Sequence, residues 1–433
     1  MKNILVKGPA LSRSGYGEQT RFALRALRAN QDRFDIYLIP VGWGHTGWIY
    51  EDTEERRWID SLVAKTFHYS QSGGQYDISL QVTIPNEWEK LAPVNVGYTA
   101  GIETTRVSPA WIEKSALMDK IIVVSNHSKE VFEKTVYSIT AEKQPRMMSV
   151  PPKDTQIARE VKCTTPIEAV NYSVRKIEPK PINLELDYDF NFLTMAQWSP
   201  RKNLESTIHW FMEEFANDEV GLIAKVSIRN NSILDNDHAY DGLRNVVQNY
   251  PERKCKLYML HGDLTEEEMM GLYVNSKVKA LINLSHGEGF GLPMFEAACN
   301  GLPVVAPNWS GQNDFLYAPE KDKKKSSKKE RMRPHFANVD YVLKPVQDAA
   351  VWDGVIERDS MWCFSHKGSY KNSIRSIYSN YGFHVKRAEK LKKYIIKNFT
   401  EEKQYKKFAD FIIPEENYEI DEWLNNLDVK EIA

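Results

Sequence analysis

The sequence predicts an α/β protein made of two domains, each with a doubly wound parallel sheet. Short apolar runs typical of buried strands recur along the chain, and several are followed by a glycine-containing turn and a segment with helical apolar spacing. Such alternation indicates parallel sheets covered by helices. The chain has 433 residues, which is too long for one typical domain and suits two that each bury a core.

The first strand is expected at Asn3–Lys7, and a turn with two glycines follows it. Gly15 and Gly17 lead into Glu18–Leu27, whose apolar residues recur at helical spacing. A turn between a strand and a helix can bind phosphate through its backbone N–H groups. The third glycine of a dinucleotide-binding fingerprint is missing, so an ordinary strand-to-helix connection is the alternative.

A candidate catalytic residue follows the strand expected at Asn95–Gly101. Glu103 lies beyond the carboxyl end of this strand, where the ligands of open α/β sheets gather. A salt bridge between Glu103 and Arg106 is the structural alternative. His127 follows the next strand and is a weaker candidate, because lone histidines are frequently helix caps or surface residues.

The domain boundary is expected within Ala158–Leu186, where apolar periodicity weakens and prolines interrupt the chain. The predicted parts are therefore a first domain over 1–180, a second domain over 181–398 and a C-terminal helical segment over 399–433. Helices are expected near the end at Lys386–Asn398 and Glu401–Ile412.

Two cations follow the first strand of the second domain, Phe192–Trp198. Arg201 offers a bidentate fork and Lys202 a compact charge, so the pair suits two neighbouring phosphates. Cations are disfavoured at the N-terminus of a helix, which indicates a negative partner. Two solvated cations are the alternative.

The next strands are expected at Gly221–Val226 and Lys256–Leu260. After them, Thr265 and Glu268 have the spacing of a capping box, which predicts that a helix begins there.

A glycine-rich turn follows the strand expected at Val278–Leu284. Pro293 is tolerated in the first turn of the following helix, Met294–Asn300, and Gly301 ends it. The free N–H groups of this helix would favour a phosphate. Glu288 and Glu296 could accept hydrogen bonds from hydroxyls beside it.

The run from Ser285 to Val305 resembles the signature of the retaining glycosyltransferases of family 4, which have the GT-B fold. The central feature of this signature is a pair of glutamates, Glu288 and Glu296, with seven residues between them. The resemblance implies two Rossmann-like domains that face each other across a cleft. It also implies that Glu288 holds the donor sugar and Glu296 the ribose diol. The residues implied to lie against the sugar and diphosphate are Gly289, Phe290, Gly291 and Leu292.

The segment around Arg201 and Lys202 is similar to a family segment whose cations contact the donor diphosphate. Many relatives carry a further arginine where this chain has Gln197. The resemblance also implies that the turn at Asp263 and Leu264 lies near the base. By the same resemblance, Gly15 and Gly17 face the diphosphate across the cleft. Many relatives have a histidine in the region where this chain has Glu103. The role of that histidine therefore cannot be assigned to a matching residue here.

The resemblance implies a hexosyl- or pentosyltransferase that uses a nucleoside diphosphate sugar, retains anomeric configuration and needs no metal or other cofactor. The first domain would be the acceptor side, the second would bind the nucleotide sugar, and the C-terminal helices would return to the first. One alternative is a GT-A enzyme with a metal at Asp187-Tyr188-Asp189. Another is a catalytically inactive nucleotide-sugar-binding protein of the same fold.

The amino-terminal half is similar to glycosyltransferase-like proteins of tailed bacteriophages. This similarity suggests a hydroxymethylated pyrimidine in phage DNA as the acceptor, and a glycan is the broader expectation. The basic segment Lys321–Arg333 would contact a phosphate-bearing acceptor, or is a solvated loop. Trp43, Trp48 and Trp88 could stack on a sugar or base, or belong to the core.

The composition fits an enzyme located in the cytoplasm, which would be the host cytoplasm if the chain is phage-encoded. A formal net charge of -2 gives no general attraction to nucleic acid or anionic membranes. The four cysteines lack metal-ligand spacing and are expected to be free thiols. Neither a signal peptide nor a membrane span is evident, so stable membrane insertion is not expected.

Overall fold

The computed structural model describes residues 1–140, 158–321 and 330–414. The first half of the chain contains eight strands and four α-helices among these residues. In chain order they are β1 (Lys2–Gly8), α1 (Gly15–Arg28), β2 (Phe34–Pro40), α2 (Glu54–Gln71), β3 (Ile78–Val82), β4 (Val94–Thr99), α3 (Pro109–Ser115), β5 (Lys120–Val123), α4 (Asn126–Lys134), β6 (Val136–Thr140), β7 (Ala158–Lys162) and β8 (Ile167–Ala169).

Six of these strands form a parallel sheet in the order β2-β1-β3-β4-β5-β8, and β6 and β7 form a separate antiparallel pair. Helix α1 packs its apolar face on this sheet, with Phe22 and Leu24 fully buried. Because the strands are parallel, their carboxyl ends share one edge. This edge places the turn at Gly15 and the loop at Glu103 on the same side of the sheet.

The second half contains ten strands and seven α-helices among the described residues. They are β9 (Asn191–Gln197), α5 (Leu204–Glu214), β10 (Gly221–Ser227), α6 (Ile233–Val247), β11 (Lys256–Leu260), α7 (Glu266–Tyr273), β12 (Val278–Ile282), α8 (Leu292–Cys299), β13 (Val304–Pro307), β14 (Tyr317–Lys321), β15 (Glu330–Pro334), β16 (Ala337–Val339), β17 (Tyr341–Pro345), β18 (Met361–Ser365), α9 (Lys367–Ser379), α10 (Tyr381–Asn398) and α11 (Glu401–Ile412).

A second parallel sheet has the order β11-β10-β9-β12-β13-β16, while β14 with β15 and β17 with β18 form antiparallel hairpins. Strands β9 and β12 are neighbours, with Thr194 opposite Ile282. The segments that follow them, with Arg201 and with Glu288, therefore leave the sheet side by side.

The last described helix, α11, packs on the first half of the chain. The ring of Phe408 lies edge-on to that of Phe22, with centroids 5.8 Å apart, and 5.2 Å from that of Tyr98. Arg33 Nη1 lies 2.8 Å from Asp410 Oδ1 at the end of the helix. The chain thus finishes its described course against the sheet in which it began.

The connection between β17 and β18, residues 346–360, crosses to the first half, and we call it the strap. The backbone oxygen of Gly354 accepts hydrogen bonds from Asn86 Nδ2 at 2.9 Å and Ser108 Oγ at 2.7 Å. Val355 is buried in a core cluster with Trp88, a residue of the first half. Asp359 Oδ2 lies 2.6 Å from Arg106 Nη1. The strap therefore fixes the second half to the first through apolar and polar contacts.

The predicted α/β architecture with two parallel sheets is confirmed. Strand Lys256–Leu260 and helix Glu401–Ile412 have the predicted bounds, and the capping box of Thr265 and Glu268 is present. The helix predicted at Met294–Asn300 begins two residues earlier, at Leu292, because Gly291 supplies a left-handed N-cap with φ +98°.

The division at 180 and 398 stays a prediction, and residues 415–433 of its last part lie outside the described residues. So does 322–329, the centre of the predicted basic segment. The four cysteines are free thiols, as predicted. Among the residues that the structure describes, no helix is both long and apolar enough to cross a membrane.

The packing of the strap gives a test of the interdomain contact. Val355→Ala should lower the free energy of unfolding by roughly 1.5 kcal/mol, because two buried methyl groups are lost. The exposed Val274 at the end of α7 gives a matched control, and Val274→Ala should change stability by less than about 0.5 kcal/mol. Urea unfolding followed by fluorescence measures both. Equal effects of the two substitutions would contradict the described packing.

Candidate functional site

The glycine-rich turn after β12 forms the floor of the candidate site. Residues 283–291 are all buried, and the turn leads into α8, whose second residue is Pro293. Asn283 Oδ1 accepts a hydrogen bond from Ser285 N at 2.9 Å, and Ser310 Oγ accepts one from Glu288 N at 2.9 Å. These bonds hold the turn in one conformation at the N-terminus of the helix.

The Glu288 carboxylate lies among three donors. Its Oε1 accepts from Lys202 Nζ at 2.5 Å and from Asn283 Nδ2 at 3.1 Å, and its Oε2 accepts from Arg201 Nη1 at 3.2 Å. Burial opposes its charge, but Lys202 and Arg201 outweigh burial and lower the pKa of Glu288 to about 2. Glu288 is therefore ionised at neutral pH.

Arg201 also reaches the first domain, where its Nη1 lies 3.2 Å from Glu103 Oε1. Burial opposes the charge of the guanidinium, yet Glu103 and Glu288 raise the pKa of Arg201. The same nitrogen donates to the Gly287 oxygen at 2.8 Å, and the Arg201 oxygen accepts from His286 N at 2.8 Å. The structure thus brings Glu103, Arg201, Lys202 and Glu288 together, although they come from three distant parts of the chain.

The salt bridge considered between Glu103 and Arg106 is not the arrangement observed. Glu103 pairs with Arg201, and Arg106 pairs with Asp359 of the strap at 2.6 Å. The pairing differs because the loop after β4 meets the second domain, which supplies closer partners for both charges.

Two glycines of the turn let the domains approach closely. A Cβ atom on Gly287 would lie 2.4 Å from the Glu103 oxygen, and one on Gly289 would lie 2.6 Å from the Ala100 oxygen. Any larger residue at either position would push the backbones apart. Phe290 packs beneath the turn, 5.1 Å from the ring of Tyr172.

Glu296 lies on α8 in a different environment. Its Oε2 accepts a hydrogen bond from the Tyr273 hydroxyl at 2.8 Å. Burial raises the pKa of Glu296 to about 7, from an ordinary value near 4.5. The carboxyl is thus about half ionised at neutral pH.

The turn at Gly15 and Gly17 lies at the N-terminus of α1. Ser14 caps the helix by accepting from Gly17 N at 3.0 Å, and a Cβ on Gly17 would lie 1.9 Å from the Ser12 oxygen. Across the cleft, Arg13 Nε lies 3.4 Å from Asp263 Oδ2. Leu264 packs against the main core. The turns containing Gly15 and Asp263 therefore face each other.

The remaining sequence candidates lie in varied settings. His127 packs edge-on against Trp309, and burial lowers the pKa of His127 to about 4, which keeps the ring neutral. Gln197 is exposed and donates to the Ile228 oxygen at 3.2 Å. Asp187 pairs with Lys256 at 2.8 Å before β9 begins, at the amino edge of the sheet and away from this site.

His286 was not among the residues predicted for the site, and it is supported by strand β18 of the β17–β18 hairpin. The His286 ring stacks on Trp362, with centroids 5.1 Å apart, and its Nδ1 lies 2.6 Å from the Cys363 oxygen. Burial lowers its pKa, so the ring is neutral. The only sequence feature that could have identified His286 is its position within the glycine-rich run, because its partner Trp362 lies far along the chain.

No protein-family model matches the chain. Over a short stretch, it is similar to the serotype-specific mannosyltransferase WbdA of Escherichia coli, with 30% identity over 118 residues, 27% of this chain and 13% of the relative. A second WbdA sequence is 42% identical over 65 residues, 15% of this chain and 8% of that protein. The chain therefore spans only a small part of the length of the curated relatives it matches.

Solved structures resemble the chain over nearly its whole length at 12% identity. The sucrose-phosphate synthase of Thermosynechococcus elongatus has a TM-score of 0.58, covering 95% of this chain and 98% of that one. A glycosyltransferase of Rickettsia africae has 0.56, covering 96% and 99%. HepE of Anabaena, in complex with UDP and glucose, has 0.52, covering 99% and 100%. The fold is GT-B, with two Rossmann-like domains facing across a cleft, as the sequence resemblance implied.

The raised pKa of Glu296 predicts how stability depends on pH. Because its folded pKa of about 7 lies above its ordinary value, the free energy of unfolding should fall as pH rises from about 4.5 to about 7. Glu296→Gln removes this loss. The substitution should stabilise the protein by roughly 2–3 kcal/mol more at pH 8 than at pH 5.

Urea unfolding at the two pH values measures the difference, and Glu402→Gln, on the exposed surface of α11, is the control. If wild type and Glu296→Gln respond identically to pH, Glu296 titrates normally in the fold.

Proposed function

We propose that the chain is a metal-independent, retaining glycosyltransferase. It would move a hexose or pentose from a nucleoside diphosphate sugar to an acceptor hydroxyl. The observation that carries the proposal is the convergence of Arg201 and Lys202 on Glu288 at the start of α8. Cations, helix N–H groups and a carboxylate meet there at the carboxyl edge of a parallel sheet, a usual position for nucleotide ligands.

In the proposed complex the diphosphate lies on the N-terminus of α8, beside Arg201 and Lys202. Burial lowers the pKa of Lys202 while Glu288 opposes this shift, so the cation depends on a negative partner. Glu288 accepts hydrogen bonds from the sugar, and Glu296 accepts them from the ribose diol. The turns at Gly15, Asp263 and Leu264 would complete the nucleotide site.

The proposed reaction breaks the bond between the anomeric carbon and a diphosphate oxygen. The acceptor oxygen forms its new bond on the same face of the sugar, and its proton passes to the departing diphosphate oxygen. Arg201, Lys202 and the α8 N–H groups stabilise the negative charge of the leaving group. Glu103 acts at the acceptor side, where it orients Arg201 from across the cleft.

The acceptor is proposed to be a glycan, which fits the name of the mannosyltransferase similar to part of this chain. A hydroxymethylated pyrimidine in phage DNA is the alternative acceptor. The sequence feature that favours it is the basic segment around Arg331. Placement in the family 4 group, a bacteriophage origin and a cytoplasmic location belong to this proposal and draw on the sequence motifs.

Donor turnover tests the activity directly. UDP-, GDP- and ADP-sugars should be screened for nucleotide release by mass spectrometry, with and without acceptor, in EDTA. Glu288→Gln should lower kcat/KM by about 10²-fold, because it removes charge-assisted hydrogen bonds. The exposed Glu133 gives the control Glu133→Gln, which should behave as wild type.

Three outcomes of this screen separate the hypotheses. Folded protein that binds a nucleotide but turns over no donor would indicate the inactive binding protein instead. Stimulation by DNA containing hydroxymethylcytosine would identify the alternative acceptor. NMR of the glycoside product reports whether the anomeric configuration is retained.

Nucleotide affinity should depend on pH through Glu296. The diol bonds best to the carboxylate, and its free pKa is about 7, so binding below that pH must first remove a proton. Calorimetric titration with the best nucleotide of the panel should therefore show affinity rising from pH 6 to pH 8, and Glu296→Gln should remove the rise. A rise that persists in Glu296→Gln would place the titrating group elsewhere.

A further inference from the structure

Two aromatic rings form a platform on the first-domain side of the cleft. The ring of Trp43 packs on that of Tyr16, with centroids 4.2 Å apart and planes inclined by 31°. Trp43 is only half-buried, so the residue keeps some contact with solvent. The other two tryptophans considered from the sequence differ from it, since Trp88 is fully buried in a core cluster and Trp48 is 45% exposed.

The platform is connected to the turn proposed to hold the donor sugar. The Tyr16 hydroxyl lies 2.8 Å from Thr99 Oγ1 and accepts a hydrogen bond from Ala100 N at 3.3 Å. The oxygen of Ala100 in turn faces Gly289 so closely that a Cβ there would lie 2.6 Å away. Two consecutive contacts thus lead from the Tyr16 hydroxyl to the glycine-rich turn.

The loop that carries Trp43 is held in place by the turn at Gly15. Thr46 Oγ1 donates to the Trp43 oxygen at 2.8 Å and lies 2.6 Å from Ser12 Oγ. Arg13 N donates to the Gly47 oxygen at 2.9 Å. The indole is therefore presented by a preorganised loop, which lowers the entropy lost when a ligand packs on it.

Two carboxylates, Glu103 and Glu87, lie near the platform, and the nearby cation Arg13 is already paired with Glu51 and Asp263. Burial raises the pKa of the Tyr16 hydroxyl, and the carboxylates of Glu103 and Glu87 raise it further. Glu87 is exposed. Carboxylates accept hydrogen bonds from hydroxyl groups and repel phosphates, whereas nucleic-acid grooves need excess positive charge.

We propose that Trp43 and Tyr16 form the acceptor subsite and that it takes a neutral, unphosphorylated sugar whose ring stacks on the indole of Trp43. An apolar face of a sugar ring can cover the indole while its hydroxyls reach Glu87 and Glu103. The inference rests on the proposed sugar transfer and narrows its acceptor to neutral glycans.

Binding and kinetics of the full chain test this subsite with Trp43→Ala and the conservative Trp43→Phe. Tyr50, 79% exposed in the same loop region, gives the control Tyr50→Ala. In saturation-transfer NMR with UDP present, methyl α-D-mannopyranoside, methyl α-D-glucopyranoside and mannose 6-phosphate are the probes. A neutral glycoside should show ring-proton signals that Trp43→Ala loses and Trp43→Phe keeps, and the phosphorylated sugar should give weaker signals.

The kinetic measurement uses the donor found by turnover and the best neutral glycoside. Trp43→Ala should raise the acceptor KM by about tenfold with a much smaller change in kcat, because stacking contributes to binding. Equal KM values in wild type and Trp43→Ala, or stronger signals from mannose 6-phosphate, would overturn the subsite.

The two proposals fail in different ways. Absence of donor hydrolysis by wild type would refute the transferase, while the NMR binding still decides the subsite. Donor turnover that is accelerated by hydroxymethylcytosine DNA and by none of the neutral glycosides would leave the transferase standing and overturn the neutral-sugar subsite.

Discussion

The arrangement of the cleft depends on one guanidinium that lies between carboxylates of the two domains. Arg201 Nη1 is 3.2 Å from both Glu103 and Glu288, and Lys202 supplies a second cation to Glu288. Removing charges from water is costly unless they are paired, so each member of this neutral cluster depends on the others. The cluster consequently fixes where the carboxyl edges of the two sheets meet, and the small size of Gly287 and Gly289 allows the contact.

A diphosphate would enter this neutral cluster with additional negative charge. Arg201 and Lys202 would then share their hydrogen bonds between the phosphates and Glu288, which frees carboxylate lone pairs for sugar hydroxyls. The strap limits how far the domains can separate during this exchange, since Val355 is anchored in the first domain and the hairpin also supports His286 through Trp362. Donor entry by small local adjustments is more consistent with these contacts than a wide opening of the cleft.

The local features of the fold could be predicted from the sequence, because they depend on residues that are close together in the chain. Pro293 lies in the first turn of one helix and Gly301 follows its end, and the capping box of Thr265 and Glu268 begins another helix. The convergence of Arg201 with Glu288 could be expected only through the family resemblance, and their roles remain predictions. The partners of Glu103 and Arg106 could not be predicted from the sequence, because Glu103 and Arg201 lie 98 positions apart and Arg106 and Asp359 lie 253 positions apart. The strap and the Tyr16–Trp43 contact are likewise products of tertiary packing.

The two glutamates of the signature show how strongly position alters one kind of side chain. Glu288 has two cations within hydrogen-bonding distance, and its pKa is lowered to about 2. Glu296, in the middle of α8, has the Tyr273 hydroxyl as a neutral donor, and burial raises its pKa to about 7. Burial acts in the same direction on both groups. The difference comes from the cations that the turn after β9 brings to Glu288, and from the negative charges of Glu18 and Glu266, which raise the pKa of Glu296 further. A carboxylate that stays charged suits a site where cations already lie, and it can accept hydrogen bonds from sugar hydroxyls there. One that ionises near neutrality gains most from a ligand whose hydroxyls hydrogen-bond to its charged form.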